Sequence, residues 1–569
     1  MDAPASAVTS GSQPPVSAGE SWWPALRAWL IGALLVAAMT MPTMTRPMSV
    51  GRLDTNDGRF SIWNVAWIGH AILSSDTIFD ANIFYPHTGT LAYSELNLVA
   101  GLFGLPWYAI TGDPLAALNG AAFTALVLAF VSMWALVRFL TGSEAAGLVS
   151  ATAFTFCPFV GARTAHIQLL MIFVFPLALL ALHRFAERPG WWRGAWLGAA
   201  LALAALSCGY YGIFAGLMLV VMGLALAETS RAYWLGLGVA AFTTGILVYP
   251  VFAAFTEARL LSGAAPRPQT LDDARVYSAN AAAWLASSAF AHEWWLPILQ
   301  RWQKWSDVLF PGGLLMMLAA CGAWVAARTP RLRRLAAGYA GLALLAFWMS
   351  FGPDAGLYAW LYDYVPGMSL IRVPARIGIV VSCALAVFAG LAVATASAAE
   401  WAGAKRAWLA PVLVAALVLE LGIYTKEWGW PSWPLRQMAP LSPAYRRLAE
   451  LPRGVLVEFQ FPYASGNFHN HAYPMFWSTY HWQKLVNGYS DLIPPDFYDI
   501  ALPINGFPDE ASFAIMKARN VRYVLWHVDY YRGRPLEIIQ ERLARYPDAL
   551  RPIVKTPDVW LFEIVRWPS

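Results

Sequence analysis

Charged and aromatic side chains crowd into a few short stretches of this sequence. The densest reads Arg52-Leu-Asp54-Thr-Asn-Asp57-Gly58-Arg59, then Phe60-Ser-Ile-Trp63-Asn-Val-Ala-Trp67-Ile-Gly-His70. From Phe60 onward, Trp63, Trp67 and Ala71 recur at helical spacing, which suits an amphipathic helix lying in a membrane interface. Asp57 and Gly58 stand at or just before its start, where the helix dipole and free N–H groups favour a carboxylate. A plain N-cap fits the same position. A second stretch, Arg372-Val-Pro-Ala-Arg376, sets two guanidinium groups four residues apart, with Pro374 suited to begin a helix. Arginine offers the fork that phosphate fits, and a helix start leaves N–H groups for an anion. The same pair also suits snorkelling to lipid headgroups. A third stretch runs from Phe79 to Glu95 and holds Asn82, Tyr85, His87, Tyr93 and Glu95. With Arg59 and His70, these suit a pocket that stacks on a sugar ring and bonds its hydroxyls; the stretch equally suits an Ω-loop that satisfies its own backbone. His469, His471 and His481 offer an imidazole pair along a strand, but no cysteine or acidic partner is close in sequence.

The elements that must position these groups are apolar. The chain has 569 residues, 58% of them hydrophobic and 13% charged, with a net charge of +5. Soluble domains carry roughly 25% charged residues, so a soluble enzyme, a nucleic-acid binder and a disordered scaffold are excluded. Membrane spans need about 20 apolar residues, and twelve windows qualify between residues 25 and 424. The window at 94–111 is broken by Asn97, two glycines and Pro106. If it is re-entrant or interfacial and the N-terminus is inside, the inner loops collect Arg138, Arg184, Arg188, Arg193, Arg231, Arg328, Arg331, Arg333, Arg334, Lys405 and Arg406. The short outer loops then hold only Arg163, Arg372 and Arg376, as the positive-inside rule asks.

The expected fold is therefore all-α and membrane-embedded, with about eleven transmembrane helices, interfacial helices in the first outer loop, and a C-terminal soluble α/β domain. Residues 1–24 read as a disordered cytoplasmic tail, 25–425 as the transmembrane domain with outer loops at 45–114 and 256–308, and 426–569 as a periplasmic or extracellular domain. In the last, Ser442-Pro443 opens a helix, 454–461 and 521–528 read as strands, and Asp509 caps a run to Arg519. A helix at 535–545 and a strand at 558–565 follow. The four cysteines sit in apolar runs and read as small buried hydrophobes. The expected location is a bacterial inner membrane.

A retained first helix leads into a large outer loop with an Asp in its opening stretch. Asp113-Pro114 follows, then Leu136-Val-Arg-Phe-Leu-Thr-Gly-Ser-Glu144, and Phe156-Cys-Pro158 with Arg163, His166 and Gln168. Over residues 25–190 this layout resembles the C-type glycosyltransferase superfamily, integral-membrane enzymes that use polyprenyl-phosphate sugars. The stretches Ala81–Glu95, Gly209-Tyr-Tyr-Gly212, Leu309-Phe-Pro-Gly312, Arg372–Arg376 and Val486-Asn-Gly-Tyr-Ser490 more closely resemble a bacterial multi-pass membrane family related to those enzymes, for which no activity is established. The superfamily resemblance implies a catalytic base or metal-holding acid at Asp57, with Asp54 as the alternative. Many members carry a second acidic residue where this chain reads Arg163-Thr-Ala-His166-Ile-Gln168, which weakens a metal site and leaves His166 as a substitute ligand.

The implied reaction moves a sugar, with inversion, from a polyprenyl-phosphate donor to a lipid or glycan acceptor of the cell envelope on the outer face. Its leaving phosphate would be met by Arg372, Arg376, Arg163 and His166. No metal ligand set is assigned; a divalent cation is the one candidate cofactor. The alternative is a transporter or flippase for lipid-linked envelope intermediates, and an assembly factor is a third reading. Transporters gather polar groups near the midplane, whereas here they gather at one face.

Overall fold

The computed structural model describes residues 22–261, 269–365, 367–399, 403, 406–528 and 533–568. The tail expected over 1–24 lies outside the described residues up to position 21.

Helix boundaries follow from local capping. Helix α1 (Trp23–Met39) is followed by strand β1 (Val50–Gly51), α2 (Asn56–Ser74), α3 (Leu98–Thr111), α4 (Pro114–Thr141) and α5 (Glu144–Thr155). Asp113 caps α4 by accepting the N–H groups of Leu115 and Ala116, both at 2.9 Å, with Pro114 in the first turn. Gly142, at φ +70°, ends α4 in the left-handed region, and its N–H donates to Arg138 O. Among the described residues, Pro114–Thr141, Glu144–Gly161, Arg231–Leu260 and Pro374–Ala398 are long and apolar enough to cross a membrane. Gly313–Arg328 and Pro330–Ser350 qualify as a pair bent by 109°. The helix in the broken window, α3, has 14 residues, about 21 Å at the usual rise and short of a hydrocarbon core of about 30 Å. The bundle centre is tight: a Cβ on Gly322 would overlap the Phe388 carbonyl, so helices Gly313–Arg328 and Gly378–Ala398 touch backbone to backbone. Cys157, Cys208 and Cys383 are buried, but Cys321 is exposed on an apolar helix.

Helix α2 departs from the interfacial expectation. Ile62 through Gly69 are all buried, because α3 and α4 cover one side and the helix Ala472–Ser478 of the C-terminal module covers the other. That module is built on a five-stranded sheet of β3 (Val455–Phe459), β4 (Lys484–Leu485), β5 (Val521–His527), β6 (Leu550–Lys555) and β7 (Val559–Ile564), in the order β4-β3-β5-β7-β6. Strand β3 runs parallel to β4 and β5, while β7 runs antiparallel to β5 and β6. Its helices Pro443–Glu450 and Glu510–Ala518 are capped by Ser442 and Asp509.

The module is sewn to the segment between α1 and α3. Strand β2 (Arg436–Gln437) pairs antiparallel with β1. The Leu485 N–H donates to Asn82 O at 2.8 Å, the Tyr85 N–H to Leu485 O at 2.8 Å, and the Leu492 N–H to Tyr93 O at 3.0 Å. Strand edges otherwise left open are thereby paired.

Candidate active site

Thr55 is the N-cap of α2, its side chain accepting the Gly58 N–H at 3.1 Å. Asp57 therefore sits in the first turn, where the helix dipole favours its charge. Its side chain is 57% exposed, and its Oδ2 lies 3.5 Å from His166 Nε2. Asp54 faces elsewhere: it is held by Arg52 Nε at 3.0 Å, and Arg52 also donates to Thr164 Oγ1. Of the two carboxylates, Asp57 alone is left unpaired with a guanidinium among the described residues.

The loop carrying His166 is docked on α2 by Ser61, whose Oγ donates to Ala165 O at 2.8 Å. Burial is the main cause that holds His166 below the usual imidazole range; Arg376, Arg163 and Arg52 add to it, and Asp57 opposes it. The ring is thus neutral at pH 7. Arg163 is committed, paired with Asp307 and lying 4.5 Å above the Phe159 ring.

Arg376 is near enough to His166 to act on its charge, and Arg372 stands four residues before it. Pro374–Ile377 forms a 3₁₀ turn, and the α-helix begins only at Gly378. The free N–H groups expected here are partly used: Arg372 N–H donates to the Tyr210 hydroxyl at 3.2 Å and Arg376 N–H to Val373 O at 3.2 Å. The guanidinium groups lie over aromatic rings, Arg372 5.2 Å from Tyr277 and Arg376 4.8 Å from Tyr210. Neither has a carboxylate within ion-pair distance among the described residues. Glu95 stands near Arg376; it accepts the Gly209 N–H at 2.7 Å, and burial raises its pKa. The sites are linked through shared neighbours. Arg376 acts on His166, which touches Asp57, and both Asp57 and Arg372 act on the phenol of Tyr489 from the C-terminal module.

Other residues expected in the pocket lie in the seam with that module. Asn82 is buried, accepting from Trp63 Nε1 at 3.0 Å and donating to Ser478 Oγ and Gln483 O. His87 meets Asp496 at 2.7 Å, and Asp496 also binds Arg519. The Tyr85 ring lies under Lys484, and Tyr93 is fully buried. His70 stacks on Trp482 at 4.4 Å, about 20 Å along α2 from Asp57. Arg59 donates to Asn56 at 2.9 Å and lies over Tyr473. Nothing local in the sequence marks Asp307 as the partner of Arg163 or Thr164 as that of Arg52. Tyr210 and Tyr489 fall within Gly209–Gly212 and Val486–Ser490, the stretches that carried the closer resemblance.

No group of three or more His, Cys, Asp or Glu among the described residues could hold a metal. Asp57 and His166 form only a two-donor pair in the field of three arginines, which does not fit a resident divalent cation. The tail histidines do not converge on a metal site either. His471 is buried against Pro462 O at 3.0 Å, and His481 is buried with its Nε2 unpaired. A cleft of about 510 Å³ lined by Arg275, Ser278, Asn280, Ser306 and Asp354 opens beside Tyr277, but Asp57 does not line it.

The fold has a solved counterpart in a membrane glycosyltransferase. The chain is similar to the mycobacterial arabinofuranosyltransferase AftD, with a TM-score of 0.55 and 13% identity over 96% of this chain. It spans 42% of AftD's length. Looser likenesses are to the Archaeoglobus fulgidus oligosaccharyltransferase tethered with an acceptor peptide (TM-score 0.46, 13% identity, 96% of this chain and 74% of that one) and to ArnT from Cupriavidus metallidurans bound to undecaprenyl phosphate (0.36, 13%, 95% and 96%). No family model and no curated protein matches the chain.

Proposed function

We propose that this chain is a membrane glycosyltransferase. It moves a sugar from a polyprenyl-phosphate donor to a hydroxyl of a lipid or cell-envelope acceptor at the outer face of a bacterial inner membrane, with its C-terminal module on that side. What supports the reading is the exposed carboxylate of Asp57, 3.5 Å from His166, whose imidazole also feels Arg376, together with Arg372 and Arg376 having no carboxylate at ion-pair distance among the described residues.

The acceptor oxygen attacks the anomeric carbon of the donor sugar from the side opposite the phosphate. The new C–O glycosidic bond forms as the anomeric carbon–phosphate oxygen bond breaks, which inverts the centre. The acceptor proton goes to the Asp57 carboxylate. The bonding pair leaves on the polyprenyl phosphate, where Arg372 and Arg376 meet the added negative charge. Water still reaches Asp57 in the free protein, and bound substrate is what excludes it. His166, neutral beside the carboxylate, steadies the base and leaves the phosphate to the arginines.

Transfer of radiolabelled sugar from polyprenyl-phosphate donors in membranes tests this. Asp57→Asn is expected to insert normally and lose about 10³-fold or more in rate. Full turnover by Asp57→Asn removes the assigned base.

A further inference from the structure

The loop after β4 crosses from the C-terminal module into the site, and its two ends are fastened independently. Before Tyr489, Asn487 is fully buried; its Oδ1 accepts the Glu458 N–H at 2.8 Å and its Nδ2 donates to Glu458 O at 2.9 Å. The Phe84 N–H donates to Asn487 O at 3.1 Å. Gly488 lies flat on the Phe84 ring, where an added Cβ would come within 2.7 Å of it. After Tyr489, the Ser94 hydroxyl donates to Asp491 at 2.9 Å, and the backbone of Leu492 is paired with Tyr93.

Tyr489 is the residue left between these clamps. Its ring meets Phe60 edge to face, with centroids 6.1 Å apart, and Phe60 is one turn along α2 from Asp57. The phenol lies in the field of Asp57 and Asp491 on one hand and Arg372 on the other. Burial, reinforced by the two carboxylates, pushes it up to about 12, so it stays a neutral donor and acceptor. Among the described residues its hydroxyl has no hydrogen-bond partner. A loop fastened at Asn487, Gly488, Asp491 and Leu492 that leaves the phenol of Tyr489 without a partner among the described residues, against the Phe60 ring one turn from Asp57, has the form of a ligand contact.

We infer that Tyr489 touches substrate: its hydroxyl bonds a sugar hydroxyl lying between Asp57 and Arg372, so the C-terminal module supplies part of the site. The inference deepens the transferase reading and rests on it. The ligand chemistry is a neutral ring hydroxyl, from either the donor sugar or a glycan acceptor.

The test uses the full-length protein in lipid nanodiscs, with farnesyl-phosphate mannose, glucose and arabinose as separate donor probes and a membrane lipid extract as acceptor. Tyr489→Phe keeps the ring and removes only the hydroxyl. It is expected to raise KM about fivefold for one substrate, as loss of one neutral hydrogen bond implies, with kcat within about twofold and an unchanged melting temperature. A KM rise for the donor assigns the hydroxyl to the donor sugar; a rise for the acceptor extract assigns it to the acceptor. Unchanged KM for both, or a fall confined to kcat, overturns the inference while leaving the assignment of Asp57 intact. If the wild type transfers none of these sugars, the transferase reading is what fails. The contact is then judged by saturation-transfer NMR of the same probes, where sugar signals that Tyr489→Phe leaves unaltered, or the absence of any sugar signal, overturn it.

Discussion

Arg52 and Arg163, which stand beside carboxylates, and Arg372 and Arg376, which stand on tyrosine rings, are the same residue in opposite electrical states. Arg52 is bound to Asp54 and Arg163 to Asp307, so each brings its own counter-charge, though both still help to depress His166. Arg372 and Arg376 lie on tyrosine faces, which stabilise a cation without cancelling it. The first pair ties segments of the chain together, and under the proposed function the second is available to an anion. The contrast teaches that what an arginine is paired with decides what it can do, and sequence position alone does not reveal that.

The sharpest way to break this contrast is to remove the uncompensated pair. Arg372→Ala with Arg376→Ala is expected to insert normally and lose at least about 10²-fold in transfer. Arg376→Lys should recover only a fraction, since a point charge lacks the fork. A double variant with near-normal turnover would end the assignment of donor phosphate to this side.

Arg163→Gln should act differently. It strands Asp307 in a setting where both side chains are only 12–13% exposed, so the expected cost is about 3 kcal/mol of stability, read as a lower melting temperature in detergent. Asp307→Asn on top should restore most of it. Surviving folded protein should turn over within about tenfold of wild type; a loss matching the Arg372 variant would mean that both sides bind the phosphate.

The smallest expected effect is on pH. His166 has its folded pKa depressed, so its contribution to stability is complete above the unfolded imidazole value of about 6.5 and is lost as pH falls through the lower folded value. Because the depressed value keeps the ring neutral well below its ordinary range, His166 should put no step in the transfer rate between about pH 8 and about pH 5.5. A step centred near 6.5 that vanishes in His166→Gln would show an ordinary, solvated imidazole and a weaker field from the arginines.

Local signals were legible in the sequence. Asp113-Pro114, Ser442-Pro443 and Asp509 open helices as their side chains require, and Asp57 stands in the first turn of the helix expected there. Strand β6 escaped notice because Arg551, Pro552 and Lys555 give an edge strand no apolar alternation. Strand β4 has only two residues. The polar stretch from Asn82 to Tyr93 suits a sugar pocket and an Ω-loop equally in sequence, because partners of Asn82 and His87 come from the far end of the chain. Ser478, Gln483 and Asp496 consume those hydrogen bonds, and nothing local tells a polar atom waiting for a sugar from one waiting for another part of the same chain. The pairing of Arg163 with Asp307 and the reach of Tyr489 are hidden for the same reason. Arg372 and Arg376 keep their charge uncancelled because no carboxylate reaches ion-pair distance of them among the described residues.

The short ribbon of β1 and β2 sets an order of assembly. During synthesis the segment bearing Asp57 emerges early, yet the strand that pairs with its β1 and the aromatic cover of its helix arrive only with the last quarter of the polypeptide. A nascent chain threading into the bilayer thus carries this segment unfinished, and if the proposed function holds, activity waits for the chain's own completion.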